Sequence, residues 1–583
     1  MQTNLLTKPS LYLFNFLLLL CLSITSLLAA NQQNLAPNSK NIVLNYVTQA
    51  RQANSFFEYK QANNFYKKAL SADRNNSDIL EEYLLFKVGQ QELSAAIGLA
   101  QQIISKSPDH FLANLISTIN SIKKGNLEEA INNLNKTNPD PDSLSGIILT
   151  LLKGGNYYRS DQSEKFVEIA EYLKDSIPEI YYNEIALLRL LNGNKEQAQQ
   201  DLAYLNDNYP TVDGVMYYAK LLYQKDKAEG IFYFNEYLSD NFLTPKQTEK
   251  YLINQKPITL NYVFSDAIYR IALLMSNEIN NTYLTSDRFI LLNAALMLDQ
   301  NNSLAKISLG SFYEGIGNYD LAIKTYKSIP KNNFYHRLIS SRIVEIYNEL
   351  GKAQESLKFL QSTVLIDKDN PVPFLEQGHI HHKNKDYKQA ITSYTKALTI
   401  SESNNYQLGI WLSHYFRGIS YDKSGKWDQA EKDLLFASSI NDQDPLLVNY
   451  LAYSWIDRNY NIEKSLSMLE KALDIAPDNA NILDSYAWGL FKIKKYDKAL
   501  RFAYQAASLN PYDATISNHL GDILATLGEP AKALSYWKSS LNLSSDPKEI
   551  SAITKKINET TTSYVSASIS SAFDNTSISS LIN

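Results

Sequence analysis

The stretch Pro477–Pro511, PDNANILDSYAWGLFKIKKYDKALRFAYQAASLNP, decides the fold. Small and apolar residues recur at helical spacing in two segments, Asp478–Lys494 and Tyr496–Leu509, which meet at a short polar turn. Apolar residues three and four apart form one face of a helix. Tyr496-Asp497-Lys498-Ala499 opens the second segment, and Pro511 closes the unit because proline cannot continue a helix. The stretch therefore reads as a helical hairpin, with small residues where the two axes approach within about 8–10 Å.

The hairpin is copied along the chain. Ala499 and Ala533 lie 34 apart, as do Ala472 and Ala506, and Pro477 and Pro511. Backwards from Ala499 the same phase holds Ser465, Ala430, Ala390, Ser356 and Ala322, with an insertion expected in Ser401–Leu408. Towards the N-terminus Ala62, Ala96, Ala130 and Ala198 share one phase, with Glu164 at the missing step. Twelve residues before this mark stand Gly310, Gly378, Gly418 and Gly521; seven after it stand Ala69, Ala295, Ala397 and Ala437. Twelve after it stand Pro108, Pro210, Pro477 and Pro511. One hairpin buries too little apolar surface to stand alone, so the copies must stack on their neighbours in a quasi-one-dimensional array.

The segments Gly-Asn-Tyr-Asp-Leu-Ala (317–322), Lys-Asp-Tyr-Lys-Gln-Ala (385–390), Gly-Lys-Trp-Asp-Gln-Ala (425–430) and Lys-Lys-Tyr-Asp-Lys-Ala (494–499) each carry an aromatic residue three before the alanine. In this they resemble the tetratricopeptide repeat (TPR) family. Gly-Asn-Leu-Glu-Glu-Ala (125–130) and Gly-Asn-Lys-Glu-Gln-Ala (193–198) look like degenerate copies. The resemblance covers most of 41–545 and is weakest between 140 and 290. It implies an all-α fold, a TPR α-solenoid wound as a right-handed superhelix of helix-turn-helix pairs, and a chain that binds other proteins or peptides.

Composition agrees. Of 583 residues, 44% are hydrophobic and 20% charged, enough apolar content to fold. Only 20 glycines and 17 prolines argue against a turn-rich β-sandwich. A net charge of −5 without a basic run argues against nucleic-acid binding. The single cysteine, Cys21, excludes an intrachain disulfide framework.

Residues 1–30 read as a signal peptide: Lys8, the apolar stretch Leu11–Leu22, then small residues to Ala29 and Ala30, where cleavage is expected. Uncleaved, Leu11–Ala30 is just long enough to anchor the chain in a bilayer. Leu18–Leu20 precede Cys21 where a lipobox needs a small residue. Residues 41–240 read as a degenerate N-terminal array, 241–265 with Pro245 and Pro257 as a linker, and 266–545 as the C-terminal array. Asp546–Asn558 is expected to cap it, and Glu559–Asn583, rich in Ser and Thr, to be disordered.

Catalytic and cofactor motifs are missing. Ser121-Ile-Lys-Lys124 and Ser393-Tyr-Thr-Lys396 stand without partner motifs, and there is no Gly-rich phosphate loop or nucleophile elbow. His379 and His382 share a helix face, but no carboxylate four residues away joins them, so no metal is expected. Tyr66, Tyr326, Tyr394 and Trp537, four after the mark, are expected in the core. The resemblance implies that the first helix of each pair lines the concave surface. Its inward residues would be Glu345 and Asn348 (with Ser341); His379 and His382 (with Leu375); Tyr415 and Asp422 (with Ile419); Tyr450 and Asp457 (with Ser454); Asp484, Trp488 and Phe491; and Asn518 and Asp522 (with Ala525). Aromatic residues beside these aspartates suit an extended or helical peptide with basic and apolar side chains.

The expectation is thus a non-catalytic, exported scaffold, most simply in a bacterial periplasm. Asn449–Trp455, Ile482–Trp488 and His519–Leu524 are similar to envelope TPR proteins of Gram-negative bacteria, some of which are adaptors for a periplasmic carboxyl-terminal processing protease. From another class, an accessory solenoid of a cell-wall or glycosyl-transfer enzyme remains open, as does secretion.

Overall fold

The turn inside each hairpin is where the repeat is most strictly drawn. Five residues before the alanine mark, Gly125, Gly193, Gly317, Gly351, Gly425 and Gly528 take left-handed φ of +68° to +83°. Gln91, Lys385 and Lys494 hold the same place at φ +56°, +61° and +63°. The chain reverses there through a Schellman arrangement: Gly125 N–H donates to Ile122 O at 2.8 Å and Asn126 N–H to Ser121 O at 2.9 Å. The next helix often starts on a side-chain cap, as where Asn126 accepts from Glu129 N–H and Asp386 from Gln389 N–H.

These turns belong to a computed structural model that describes residues 37–574, apart from 57, 141–142, most of 161–176, 238–244, 254–256, 275–281, 332 and 366. The signal segment, Cys21 and Glu164 lie outside the described residues. Among those described there are 29 helices and no strand, and the architecture is an α-solenoid of antiparallel helix pairs. The hairpin Ala480–Lys492 and Tyr496–Leu509 is one of them.

Two helices of a pair cross where one side chain has been removed. The alanine marks, and Ser356 and Ser465 in their place, have no exposed surface. A Cβ on Gly521 would sit 2.5 Å from the Trp537 ring, and one on Gly418 2.9 Å from Leu434. On Gly310 and Gly378 it would overlap the rings of Tyr326 and Tyr394. The glycine twelve before the mark and the large residue four after it are thus the two halves of one contact. The trade also runs the other way, with buried Leu84 and Ala100 in those phases. As expected, Tyr66, Tyr326, Tyr394 and Trp537 are core residues.

The chain divides into two compact units at Lys352–Ala353, not at 241–265. That stretch instead holds the helix Pro245–Ile253 and the start of Leu260–Leu274. In the second unit each pair packs on the next. The expected insertion around 401–408 lengthens helices: Tyr387–Ser403 and Gln407–Lys423 have 17 residues each, where the following Trp427–Ile440 and Pro445–Asp457 have 14 and 13. The tail expected to be disordered beyond Asn558 continues as one helix, Pro547–Asp574. Its first half buries Ile553 in the core of the last pairs.

The first unit departs from a one-dimensional array. Helix Thr282–Leu298 returns to touch Ser77–Gly89 and Phe111–Lys123. Gln91 Nε2 donates to Asn293 Oδ1 at 3.2 Å and Lys123 Nζ to Met297 O at 2.9 Å. One continuous apolar core runs from Ala50 to Leu309. The sequence period could not show this, because it encodes only which residues face the next repeat.

Two substitutions at the crossing and two at the turn test this account. Gly378→Ala and Gly521→Ala should each destabilise the chain by about 1–3 kcal/mol in chemical denaturation, since the added methyl overpacks a filled contact. Lys385→Gly and Lys494→Gly should each stabilise it by roughly 0.5–1 kcal/mol, since glycine takes the left-handed conformation without steric cost.

Candidate functional site

Within the second unit the first helices form the inner row. Val372–Lys383 touches Gln407–Lys423, and Ala480–Lys492 touches both Pro445–Asp457 and Ala514–Thr526, while consecutive second helices do not approach as closely. The inward positions expected from the sequence do lie on these helices. What they touch differs from the expectation.

Most are tied to residues of a neighbouring helix. His382 Nδ1 lies 2.9 Å from Ser420 Oγ. Asp422 accepts from the Tyr450 hydroxyl at 2.8 Å and pairs with Arg458. Asp484 is buried and holds His519 Nδ1 at 2.8 Å. Asp522 accepts from Trp537 Nε1 at 2.9 Å and pairs with Lys556 at 2.6 Å, and Lys556 also donates to Asn518 at 3.1 Å. The tail helix thus covers the last two candidates. Trp488 is only 9% exposed and stacks between Phe491 at 4.9 Å and His519 at 4.1 Å. Asp484, Trp488, Asn518 and Asp522, expected to line the groove, therefore make contacts within the array, with Asp484 and Trp488 buried. The reason is geometric: a side chain on the inner row is as near to the next inner helix as to solvent.

His379 and His382 do not converge on a shared ligand. The His379 ring meets Phe416 edge-on at 4.3 Å, and His382 meets Tyr387 at 5.2 Å. Burial, with Lys423 and His379 nearby, holds His382 below the usual imidazole range. Tyr415 stacks on Trp411 at 5.7 Å, and burial pushes its hydroxyl up to about 12. Asp457 is exposed, and none of its hydrogen bonds or ion pairs falls among the described residues. Phe491 is half-buried. Glu345, exposed and paired with Arg342 at 2.8 Å, and half-buried Asn348 belong to the first unit's last helix, Phe334–Glu349. Asp457, Tyr415, Phe491 and His379 thus remain as the accessible inner set of the second unit.

Repeat length, the turn and the small-to-large crossing define a class of protein built from stacked helical hairpins. Residues 374–404 match the family model of the tetratricopeptide repeat, and the chain carries tetratricopeptide repeats. It is similar to anaphase-promoting complex subunit 3 of Schizosaccharomyces pombe, 23% identical over 226 residues, 37% of this chain and 33% of that one. It is also similar to TPR repeat-containing protein YpiA of Bacillus subtilis, 23% identical over 395 residues, 61% of this chain and 85% of that one. Among solved structures, that of the APC/C hetero-tetramer Cut9–Hcn1 covers 93% of this chain and 98% of its own, with 17% identity and a TM-score of 0.33. The match spans only a third of the length of the fission-yeast relative.

Sequence reasoning missed one polar cluster, in the first unit where the period is weakest. It contains Asp213, Tyr262, Asp266, Arg270 and Tyr335. The loss of phase around 241–265 was the available signal.

Trp488→Ala should lower stability by about 3–5 kcal/mol, the cost of truncating a buried ring. Acid should also weaken the second unit. Because folding lowers the His382 pKa, below about pH 6.5 the unfolded chain binds the proton more readily, and stability falls with pH. Thermal unfolding of the full chain between pH 8 and pH 5 checks both; a fall that His382→Gln leaves untouched assigns the effect elsewhere.

Proposed function

We propose that the protein is a non-catalytic scaffold, and that the inner face of the second unit holds a segment of a partner protein. The observation that carries this is the accessible set left on that face. Asp457 offers an exposed carboxylate, and Phe491 and Tyr415 offer half-buried aromatic surface along the same row of helices. A carboxylate beside aromatic surface suits a partner segment that combines a basic with an apolar side chain. The repeat family supports the class of activity, and no part of the proposal requires a bound metal or cofactor.

The reading includes export, supported by the Lys8 and Leu11–Leu22 pattern and the small residues before Asn31. The bacterial envelope is the compartment favoured. An adaptor for a periplasmic carboxyl-terminal processing protease or a cell-wall enzyme would be a special case. It rests on Asn449–Trp455, Ile482–Trp488 and His519–Leu524, yet Trp455, Trp488 and His519 in these segments are buried. That likeness reflects packing, so the general scaffold reading is preferred.

A photo-reactive residue introduced at Asp457 in the cells that make the protein should cross-link a partner, and one at Leu435, exposed on a second helix, should not. Asp457→Lys should weaken capture of that partner at least tenfold without changing the melting temperature. Cross-links from Leu435 alone would overturn the assignment of the face, and recovery of the chain in the cytoplasmic fraction would overturn the location.

A further inference from the structure

The first unit contains a cleft of about 350 Å³ whose walls combine aromatic rings with a carboxylate. Tyr217, Tyr262, Phe334 and Tyr335 line it, together with Asp213 and Asp299. The rings stand close to perpendicular: Tyr217 and Tyr262 meet at 63° and Phe334 and Tyr335 at 69°. Among the described lining residues there are two carboxylates and no Lys, Arg or His.

Asp213 is the buried carboxylate of the cleft. It is 6% exposed, on the helix Val212–Lys225. Its Oδ2 accepts from the Tyr262 hydroxyl at 3.2 Å and its Oδ1 from the Tyr335 hydroxyl. No cation lies within ion-pair distance of it among the described residues. The nearby Arg270 is already committed: its Nε lies 2.7 Å from Asp266 and 3.5 Å from Glu184. Asn183 donates to both of those carboxylates at 2.9 Å. Burial, then the charge of Asp266, pushes Glu184 well above the usual carboxylate range, against the pull of Arg270. Asp213 itself is held by two hydroxyls and by no cation at ion-pair distance among the described residues.

A buried ion without a counter-ion is costly unless something supplies one. Aromatic faces attract cations when desolvated, and a volume of this size takes a small organic ligand or one side chain. We propose that this cleft binds an organic ammonium or guanidinium group, seated against Asp213 and enclosed by Tyr217, Tyr262, Phe334 and Tyr335. The group has two possible sources, a free amine or the Lys or Arg side chain of a peptide. The site is independent of the reading given for the second unit.

The two hydroxyl bonds leave further lone pairs on Asp213 for an N–H donor. Burial and Asp266 push Asp213 up to about 6, against the bonds from Tyr335 and Tyr262 and the charge of Arg270. Affinity for a cation should therefore weaken below about pH 6, as this carboxylate takes up its proton.

Titration calorimetry of the full chain tests the proposal. Benzylammonium should bind at least tenfold more tightly than benzyl alcohol at pH 7.5, and acetyl-Gly-Lys-Gly-amide is compared with acetyl-Gly-Gln-Gly-amide. Preference for the free amine identifies a small-molecule site, and preference for the lysine peptide a side-chain site; either supports the proposal. Asp213→Asn should remove the preference for the charged ligand. Equal binding of charged and neutral members, or no binding by any of the four, overturns it. The comparison on the unaltered chain decides the matter even if Asp213→Asn does not fold.

Discussion

The crossing of two helices within each hairpin is the contact on which the rest of the structure depends. Gly521 has no Cβ because the Trp537 ring fills that space, and Gly310 and Gly378 stand in the same relation to Tyr326 and Tyr394. Interiors are packed as densely as organic crystals, so a filled contact of this kind fixes both the separation and the angle of the axes. The alanine marks contribute little apolar area themselves. Their role is to let large neighbours close over them, and their complete burial follows from it. Once the hairpin has one geometry, the next must stack on it in one way, and the array propagates.

A second set of contacts acts between repeats. Asp422 to Arg458, Asp484 to His519 and Asp522 to Lys556 join inner-row positions about one period apart. These polar pairs link neighbouring hairpins and add to the apolar packing between them. They also change the meaning of the inner face. A row of aspartates beside aromatic rings reads as a peptide-binding strip, but most of that strip is engaged with itself. The residues left to meet a partner are those at which the tie is missing, Asp457 above all.

The first unit shows what happens where the period decays. Between 140 and 290 several of the small residues that mark the period are replaced, and the chain adds longer-range contacts. Thr282–Leu298 packs back on Ser77–Gly89 and Phe111–Lys123. Around Asp213 the unit buries polar and charged groups within the apolar core, with Asn183 Oδ1, Glu184 Oε2 and Asp266 Oδ1 left without hydrogen-bond partners. Such unsatisfied groups cost stability, and costs of this kind persist where a site needs them.

The sequence by itself determined the repeat. Helical spacing, the small residue at the crossing, the turn before the alanine mark and the proline after it are all local signals, fixed by residues within one 34-residue unit, and the hairpin Ala480–Leu509 appears as the spacing predicts. Only the tertiary structure decided which inward side chains are spent on the array, that the units divide at Lys352–Ala353, that the tail helix covers Asn518 and Asp522, and that Asp213 meets Tyr262 and Tyr335. Each of those depends on the approach of residues tens to hundreds apart in the chain. A helical period states which face a residue occupies, while the stacking of whole helices settles what stands opposite it.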